Sequence, residues 1–222
     1  MILHIPHSSR RLLGFIEMKN EQDNLDHLTD SYTDDIFDYD GASSIIKFPL
    51  SRFICDVERL ENDPLENEGH GIIYTKDCFG DDIIRYISDD FIYKMYKHHH
   101  DKFTKAVNRS STLYKNVVIV DCHSFPDPDH KYSDICIGRD WFHTTDNMID
   151  IVKEIYTAEG YSVSINVPYS GTFIPKQHIN INSNVKSVMI DINKNTFIDY
   201  DKIKSTTQSV LEILDEYEWK IG

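Results

Sequence analysis

The stretch from Asn116 to Ser124 constrains the fold more than any other part of the chain, because it joins a β-branched run directly to a polar cluster. Residues 117–120 are all valine or isoleucine, which predicts a buried strand. Asp121, His123 and Ser124 follow at once. Ligands of open α/β sheets bind just beyond the carboxyl ends of strands, so we expect a functional site at this edge.

A second segment has the same construction. Residues 2–5 read Ile-Leu-His-Ile, which predicts a strand, and His7 follows this strand in a Pro-His-Ser-Ser turn. Zinc in hydrolases takes neutral histidine nitrogens and a carboxylate, and leaves one position open for water. His7 and His123, each at the end of a strand, therefore predict a zinc site with one ion per chain.

Strand and helix patterns alternate along the sequence. This alternation predicts a single α/β domain over residues 1–222, with a mixed, mostly parallel sheet flanked by helices. The predicted strands cover residues 2–5, 44–48, 53–57, 116–124, 135–138, 162–167 and 188–192. The predicted helices cover residues 26–41, 88–107, 144–160 and 203–217. Residues 60–82 and 125–134 lack periodicity, and we interpret both as loops that control access to a site.

Charge and composition exclude several classes of partner. The chain has 37 acidic and 23 basic residues, a formal net charge of −14, so phosphate backbones and anionic membranes would repel it. No apolar run approaches the ~18 residues of a membrane span, and no signal peptide is recognisable. The four cysteines lack a C-x-x-C spacing, which favours a reduced, cytoplasmic compartment. A soluble, unprocessed protein that acts on a small molecule fits these features, and the oligomeric state stays open.

The third zinc ligand should be a carboxylate. Either Asp30 or Asp34 can supply it, since the two stand four residues apart on the polar face of the first predicted helix. Two histidines and a carboxylate also suit iron(II) or manganese, so the sequence leaves the metal open.

A hydrolytic zinc site also needs a base and positive charge for the substrate. Asp191 lies at the end of another predicted strand among apolar neighbours, which disfavour its charged form and suit proton transfer. Arg52 and Arg59 can hold a substrate carboxylate by paired hydrogen bonds, and one of them can stabilise the oxyanion.

Five short segments in order along the chain resemble the N-formylglutamate amidohydrolase family, whose fold is similar to that of the zinc carboxypeptidases. They are His4-Ile5-Pro6-His7-Ser8-Ser9, Thr29-Asp30-Ser31-Tyr32-Thr33-Asp34, Ser51-Arg52-Phe53-Ile54-Cys55-Asp56-Val57-Glu58-Arg59, Asp121-Cys122-His123-Ser124 and Asn166-Val167-Pro168-Tyr169-Ser170-Gly171. The resemblance implies a zinc-dependent hydrolase that cleaves an amide bond in a small, carboxylate-bearing substrate.

The resemblance also assigns roles to residues. His7, Asp30 and His123 match the family's metal ligands, and Arg52 and Arg59 match arginines expected to meet substrate carboxylates. The family's substrate loop falls on Asn166, Tyr169 and Gly171.

One position departs from the family pattern. The family has a glutamate as catalytic base where this chain has Asp191, which is one methylene shorter. The difference keeps two alternatives open: a non-catalytic relative that binds or regulates, and a peptidase-like hydrolase of glutamyl amides.

Other polar groups receive minor roles. Consecutive helical residues point about 100° apart, so the histidines at 98–100 cannot converge on one ion, and we interpret them as an exposed polar face. His178 lies in a loop where it could polarise a carbonyl. Ser124 cannot be a nucleophile activated by a hydrogen bond to His123, because neighbouring residues on a strand point to opposite faces of the sheet. Asp121 shares a face with His123 and could orient it.

Overall fold

The structure of the protein is a computed structural model that describes the backbone of residues 1–220 and the side chains of residues 1–216. Its strands are β1 (Ile2–Ile5), β2 (Ile16–Glu17), β3 (Ser44–Lys47), β4 (Ile84–Arg85), β5 (Val117–Phe125), β6 (Ile135–Gly138), β7 (Val163–Ile165) and β8 (Val185–Asn193). Its α-helices are α1 (Glu21–Leu28), α2 (Thr33–Ile36), α3 (Asp89–Leu113), α4 (Asp146–Ala158) and α5 (Tyr200–Lys220). Two 3₁₀ segments cover Pro64–Glu68 and Lys194–Asp199.

Six strands form the main sheet in the order β3-β1-β5-β8-β6-β7. All neighbouring pairs are parallel except β6 and β8, which are antiparallel. The predicted mixed, mostly parallel sheet is therefore confirmed. The register places His4 beside Asp121 and His123 beside Asp191, so side chains from three central strands meet on one face.

The two faces of the sheet are covered differently. Helices α2, α4 and α5 pack on the face that carries Val120, Cys122 and Ile190, and they form the largest apolar core. On the other face, α3 packs through Phe103 and Val107 against the early part of the strands. The later part of that second face carries His123 and Asp191 together with Phe125 and Met189.

The single helix predicted over residues 26–41 is wrong. The chain instead forms α1 and α2, separated by an extended residue at Thr29 and by Tyr32 in the left-handed region, with φ of 63°. The backbone N–H of Asp30 donates to the carbonyl oxygen of His7 at 3.0 Å. This tertiary bond turns the chain between the helices and brings Asp30 beside the end of β1.

The strand predicted over residues 53–57 is also wrong, because this segment is a series of turns. The amides of Ile54 and Cys55 donate to the carbonyl of Ser51, and that of Asp56 donates to the carbonyl of Ile72. Its apolar side chains are buried in a separate core formed by the 48–74 region and α3. A short apolar run that is buried in this way has the same pattern as a strand.

The other predicted elements differ mainly in their bounds. β5 is shifted by one residue from its predicted bounds and β8 is longer than predicted, and both include the predicted site residues, His123 and Asp191. Ser88 and Thr145 cap α3 and α4 through side-chain bonds to backbone amides. The predicted role of Tyr217 lies outside the described side chains. Within the described residues, no helix combines the length and the apolar character that crossing a membrane requires.

Candidate active site

The structure brings together the three side chains predicted to bind a metal. His123 Nδ1 lies 2.8 Å from Asp30 Oδ2, and His7 Nδ1 lies 3.7 Å from the same oxygen. One potential ligand atom from each of the three residues falls within 4.8 Å of those from the other two. Asp34, the alternative, is 43% exposed and pairs with Lys47 at 3.3 Å away from this cluster. The geometry therefore favours Asp30.

An outer carboxylate, Asp56, fixes one of these histidines. Asp56 Oδ1 lies 2.9 Å from His7 Nε2, while its Oδ2 accepts bonds from Arg52 at 2.7 and 3.2 Å and from the Tyr74 hydroxyl at 3.0 Å. Burial would raise the pKa of Asp56, but Arg52 and His7 hold it well below its usual value. The anionic Asp56 therefore orients both His7 and Arg52, and it leaves His7 Nδ1 to face Asp30.

Asp121 contacts the second candidate histidine ligand, His123, as Asp56 contacts His7. Its Oδ1 lies 2.8 Å from His4 Nδ1 and 3.3 Å from His123 Nε2, and its Oδ2 accepts the backbone N–H of Phe173 at 2.8 Å. The prediction that Asp121 orients His123 agrees with these contacts.

The hydrogen-bond chain continues from Asp121 to helix α3. His4 Nε2 lies 3.0 Å from His99 Nε2, and the His4 ring stacks on Phe103 with centroids 4.6 Å apart. His4 donates from Nδ1 to the Asp121 carboxylate, and the contact between the two Nε2 atoms takes one donor and one acceptor. The prediction that residues 98–100 form an exposed face is wrong for His99, which is 4% exposed.

Burial of His99 predicts a pH-dependent stability. Burial, together with the smaller effects of His4 and His100, lowers the pKa of His99 from 6.5 to about 2. Below pH 6.5 the unfolded chain therefore binds a proton that the folded chain rejects, and this residue alone makes stability fall by about 1.4 kcal/mol per pH unit.

Urea unfolding at pH 7 and pH 5 tests this effect. His99→Gln keeps a donor for His4 but does not titrate, so we expect the variant to lose less stability on acidification than the wild type. The exposed neighbour His98 gives a control: His98→Gln should lose as much stability between pH 7 and pH 5 as the wild type does. Equal losses in the wild type and His99→Gln would contradict the prediction.

Glu58 joins the cluster, although we did not predict it from the sequence. Its Oε1 lies 3.2 Å from His123 Nε2, and its Oε2 lies 3.5 Å from His7 Nδ1. The sequence contains Glu58 between Asp56 and Arg59, and interpreting this segment as a turn would have drawn attention to it. The turn, rather than the predicted strand, directs the Glu58 side chain into the cavity.

The donor set fits a divalent cation such as zinc. His7 Nδ1 is buried and has no hydrogen-bond partner among the described residues. Burial would lower the pKa of His123, but Glu58 and Asp121 raise it well above its usual value, so the surroundings favour positive charge. Burial would raise the pKa of Asp30, yet its hydrogen bond with His123 and the nearby His7 ring lower it, and this carboxylate stays ionised. Two imidazoles and one carboxylate are common ligands of hydrolytic zinc.

Asp191 lies beside this cluster, on β8 next to His123. It is buried, and its Oδ1 has no hydrogen-bond partner in the described part of the chain. Burial raises the pKa of Asp191 well above its usual value, and Asp30, Glu58 and Asp121 raise it further against the opposing effect of His123. The charged form of this carboxyl group is therefore disfavoured relative to that of an exposed aspartate, in line with the sequence-based expectation, and one of its oxygens is free among the described residues.

These groups line a cavity of about 550 Å³. Arg52, Arg59, Tyr169 and Gly171 line it as well, as predicted for substrate-binding residues. Asn166 does not line it: its side-chain oxygen accepts the amides of Arg139 at 2.7 Å and Gly171 at 3.3 Å. Asn166 therefore shapes the loop and is not positioned to contact a substrate.

Both predicted access loops contribute to the cavity wall. Leu65, His70, Tyr74 and Cys78 come from residues 60–82, and Phe125 and Pro126 come from residues 125–134. His178 and Ser124 take no catalytic position. His178 Nε2 lies 3.1 Å from Asn108 Oδ1, and the Ser124 hydroxyl donates to the carbonyl of Ser31 at 3.2 Å.

Comparisons with known proteins agree with this geometry. The family model described as N-formylglutamate amidohydrolase matches residues 1–198. An N-formylglutamate amidohydrolase from Ralstonia eutropha JMP134 has a similar fold, with a TM-score of 0.84 and 17% identity over 99% of this chain and 94% of its own. A gene product of Agrobacterium tumefaciens is similar over 99% of this chain and 88% of its own, with a TM-score of 0.65 and 16% identity. No curated protein sequence matches the chain significantly.

Proposed function

Because the chain belongs to the N-formylglutamate amidohydrolase family, we propose that it is a zinc-dependent hydrolase of a small N-acyl amino acid such as N-formylglutamate. The observation that carries the proposal is the convergence of His7, Asp30 and His123 beside the unpartnered carboxyl oxygen of Asp191 in one cavity. The unpaired cysteines support a reducing compartment such as the cytoplasm.

His7, Asp30 and His123 would hold the ion. When bound, zinc lowers the pKa of a water molecule and polarises the carbonyl of the scissile amide. Asp56 and Asp121 keep the two imidazoles in orientation from outside, so the protein determines which ring nitrogens face the cavity.

Asp191 would act as the base. Its free Oδ1 accepts a proton from the attacking water and then delivers this proton to the amine nitrogen that leaves. A carboxyl group with a raised pKa is suited to both transfers, because it holds the proton well enough to carry it between them.

The two arginines would bind and stabilise the substrate. Asp56 occupies one edge of the Arg52 guanidinium, and the Arg59 Nε donates to the carbonyl of His70 at 3.0 Å, which fixes both side chains at the cavity wall. Either guanidinium can bind a substrate carboxylate through paired bonds. Arg59 is our candidate to stabilise the oxyanion as the carbonyl is attacked.

Metal removal tests this function. We expect elemental analysis of the purified protein to find one zinc per chain and hydrolysis of N-formyl-L-glutamate to release formate. Dialysis against a chelator should remove both the zinc and the activity, and added zinc should restore both. Full activity of a protein shown to be metal-free would contradict the proposal. If iron(II) or manganese restores the activity and zinc does not, the proposed metal is wrong but the proposed reaction is kept.

A further inference from the structure

The cavity has two unlike walls on either side of the strand that carries His123. The segment from Ser51 to Arg59 provides the cationic wall, with Arg52 and Arg59. The end of β5, the neighbouring strand β8 and the loop at 166–171 provide the other wall, with Phe125, Met189 and Tyr169.

This second wall is a packed apolar structure. Phe125 and Met189 form a buried cluster with Cys136 of β6, and the Tyr169 ring lies across Phe125 with centroids 5.7 Å apart. Gly138 makes the arrangement possible: a Cβ there would lie 2.0 Å from the carbonyl oxygen of Gly171 and 2.6 Å from Met189. The missing side chain lets the loop at 166–171 close down on β6.

The charges in this wall oppose a second carboxylate on the substrate. None of its cavity-lining residues in the described chain is cationic, and Arg139, which follows β6, pairs with Asp146 at 2.6 Å and does not line the cavity. Asp191 lies two residues after Met189 on the same face of β8. An anionic group here would therefore lie near the Asp191 carboxyl group with no cavity-lining cation in the same wall, which is costly.

The cavity is large enough for a substrate group to lie against this apolar wall. Its volume of about 550 Å³ lies within the range of pockets that enclose drug-sized ligands, which are larger than an N-formyl amino acid. The apolar wall adjoins the space between Asp191 and His123, where the scissile amide is expected.

From this arrangement we infer that the preferred substrate is an amide with a single carboxylate, bound at the arginines, and an apolar substituent seated against Phe125, Met189 and Tyr169. The inference rests on the proposed function. Within the small N-acyl amino acids, it favours those with an apolar substituent over glutamate derivatives. The substituent is either the side chain of the amino acid or the acyl group, since both flank the amide.

A panel of four substrates tests the inference on the zinc-loaded wild type. N-formylglycine is the reference, N-formyl-L-phenylalanine adds an apolar side chain, N-benzoylglycine adds an apolar acyl group, and N-formyl-L-glutamate adds a second carboxylate. We expect kcat/KM for one of the two apolar compounds to exceed that for N-formylglycine and for N-formyl-L-glutamate by about tenfold or more. Which of the two is preferred identifies the substituent.

A charged substitution in the wall should reverse this preference. Met189→Lys places an ammonium group beside the apolar pocket on a side chain of similar length, and should raise kcat/KM for N-formyl-L-glutamate relative to the apolar substrate by at least tenfold. Ile181→Lys is the control, because Ile181 is 77% exposed and does not line the cavity. The control should keep the wild-type preference.

The outcomes separate this inference from the proposed function. If N-formyl-L-glutamate has the highest kcat/KM of the four substrates, the inferred apolar subsite is overturned and the proposed hydrolase function is kept. If none is hydrolysed, the proposed function fails, and calorimetric binding of the same four compounds still decides whether the apolar wall prefers an apolar group. Equal affinity for all four would overturn the subsite.

Discussion

The variant His123→Ala is expected to lose bound zinc and to lower kcat/KM for amide hydrolysis by at least ~10³-fold. His123 provides one of the two imidazoles of the candidate site, and the alanine leaves only His7 and Asp30. The removed ring lies at the edge of a polar cavity rather than in an apolar core, so the fold should persist.

Elemental analysis and steady-state kinetics on the same preparation check this expectation, and circular dichroism checks the fold. His98→Ala is the matched control, because it removes an exposed histidine that does not line the cavity. It should keep wild-type zinc and activity. A folded His123→Ala protein that hydrolyses its substrate at the wild-type rate would show that the site is elsewhere.

The variant Asp191→Asn is expected to lower kcat by ~10²- to 10⁴-fold while zinc binding is retained. The amide has the same shape as the carboxyl group but cannot accept the proton. The substitution also removes a buried group whose charged form is disfavoured, so the metal-free variant should be at least as stable as the wild type. Loss of activity together with unchanged or higher thermal stability would separate catalysis from folding.

Two companion variants decide how Asp191 is used. Asp191→Glu restores the length of the family's glutamate: a gain of activity would favour a protein that has lost turnover, and a loss would favour a base tuned to aspartate. Glu58→Gln tests a second candidate base, whose Oε1 lies 3.2 Å from His123 Nε2. If Glu58→Gln loses as much kcat as expected for Asp191→Asn, and Asp191→Asn does not, Glu58 is the base.

The sequence predicted the sheet and the convergence of His7, Asp30 and His123 largely from local signals. Residues 117–120 form an apolar run long enough to identify a buried strand, and His123 follows on the same strand. The family resemblance, now confirmed over residues 1–198, fixed Asp30 as a candidate even though the helix assigned to it was wrong.

The errors came from contacts distant in sequence. The break between α1 and α2 depends on a bond from Asp30 to the backbone of His7, which no local pattern shows. Glu58 was missed because the turn that directs it depends on the packing of the 48–74 region. His99 was assigned to the surface because its partner, His4, lies on a strand 95 residues earlier.

Asp56 touches both a candidate zinc ligand and a candidate substrate anchor, so the two are energetically coupled. A substrate carboxylate that binds Arg52 competes with Asp56 for the charge of the guanidinium, and Asp56 then interacts more strongly with His7. By reciprocity, whatever substrate does to the affinity for metal, metal does to the affinity for substrate. For the proposed zinc site we therefore expect metal loading and substrate affinity to be coupled, so that a zinc titration has different midpoints with and without substrate.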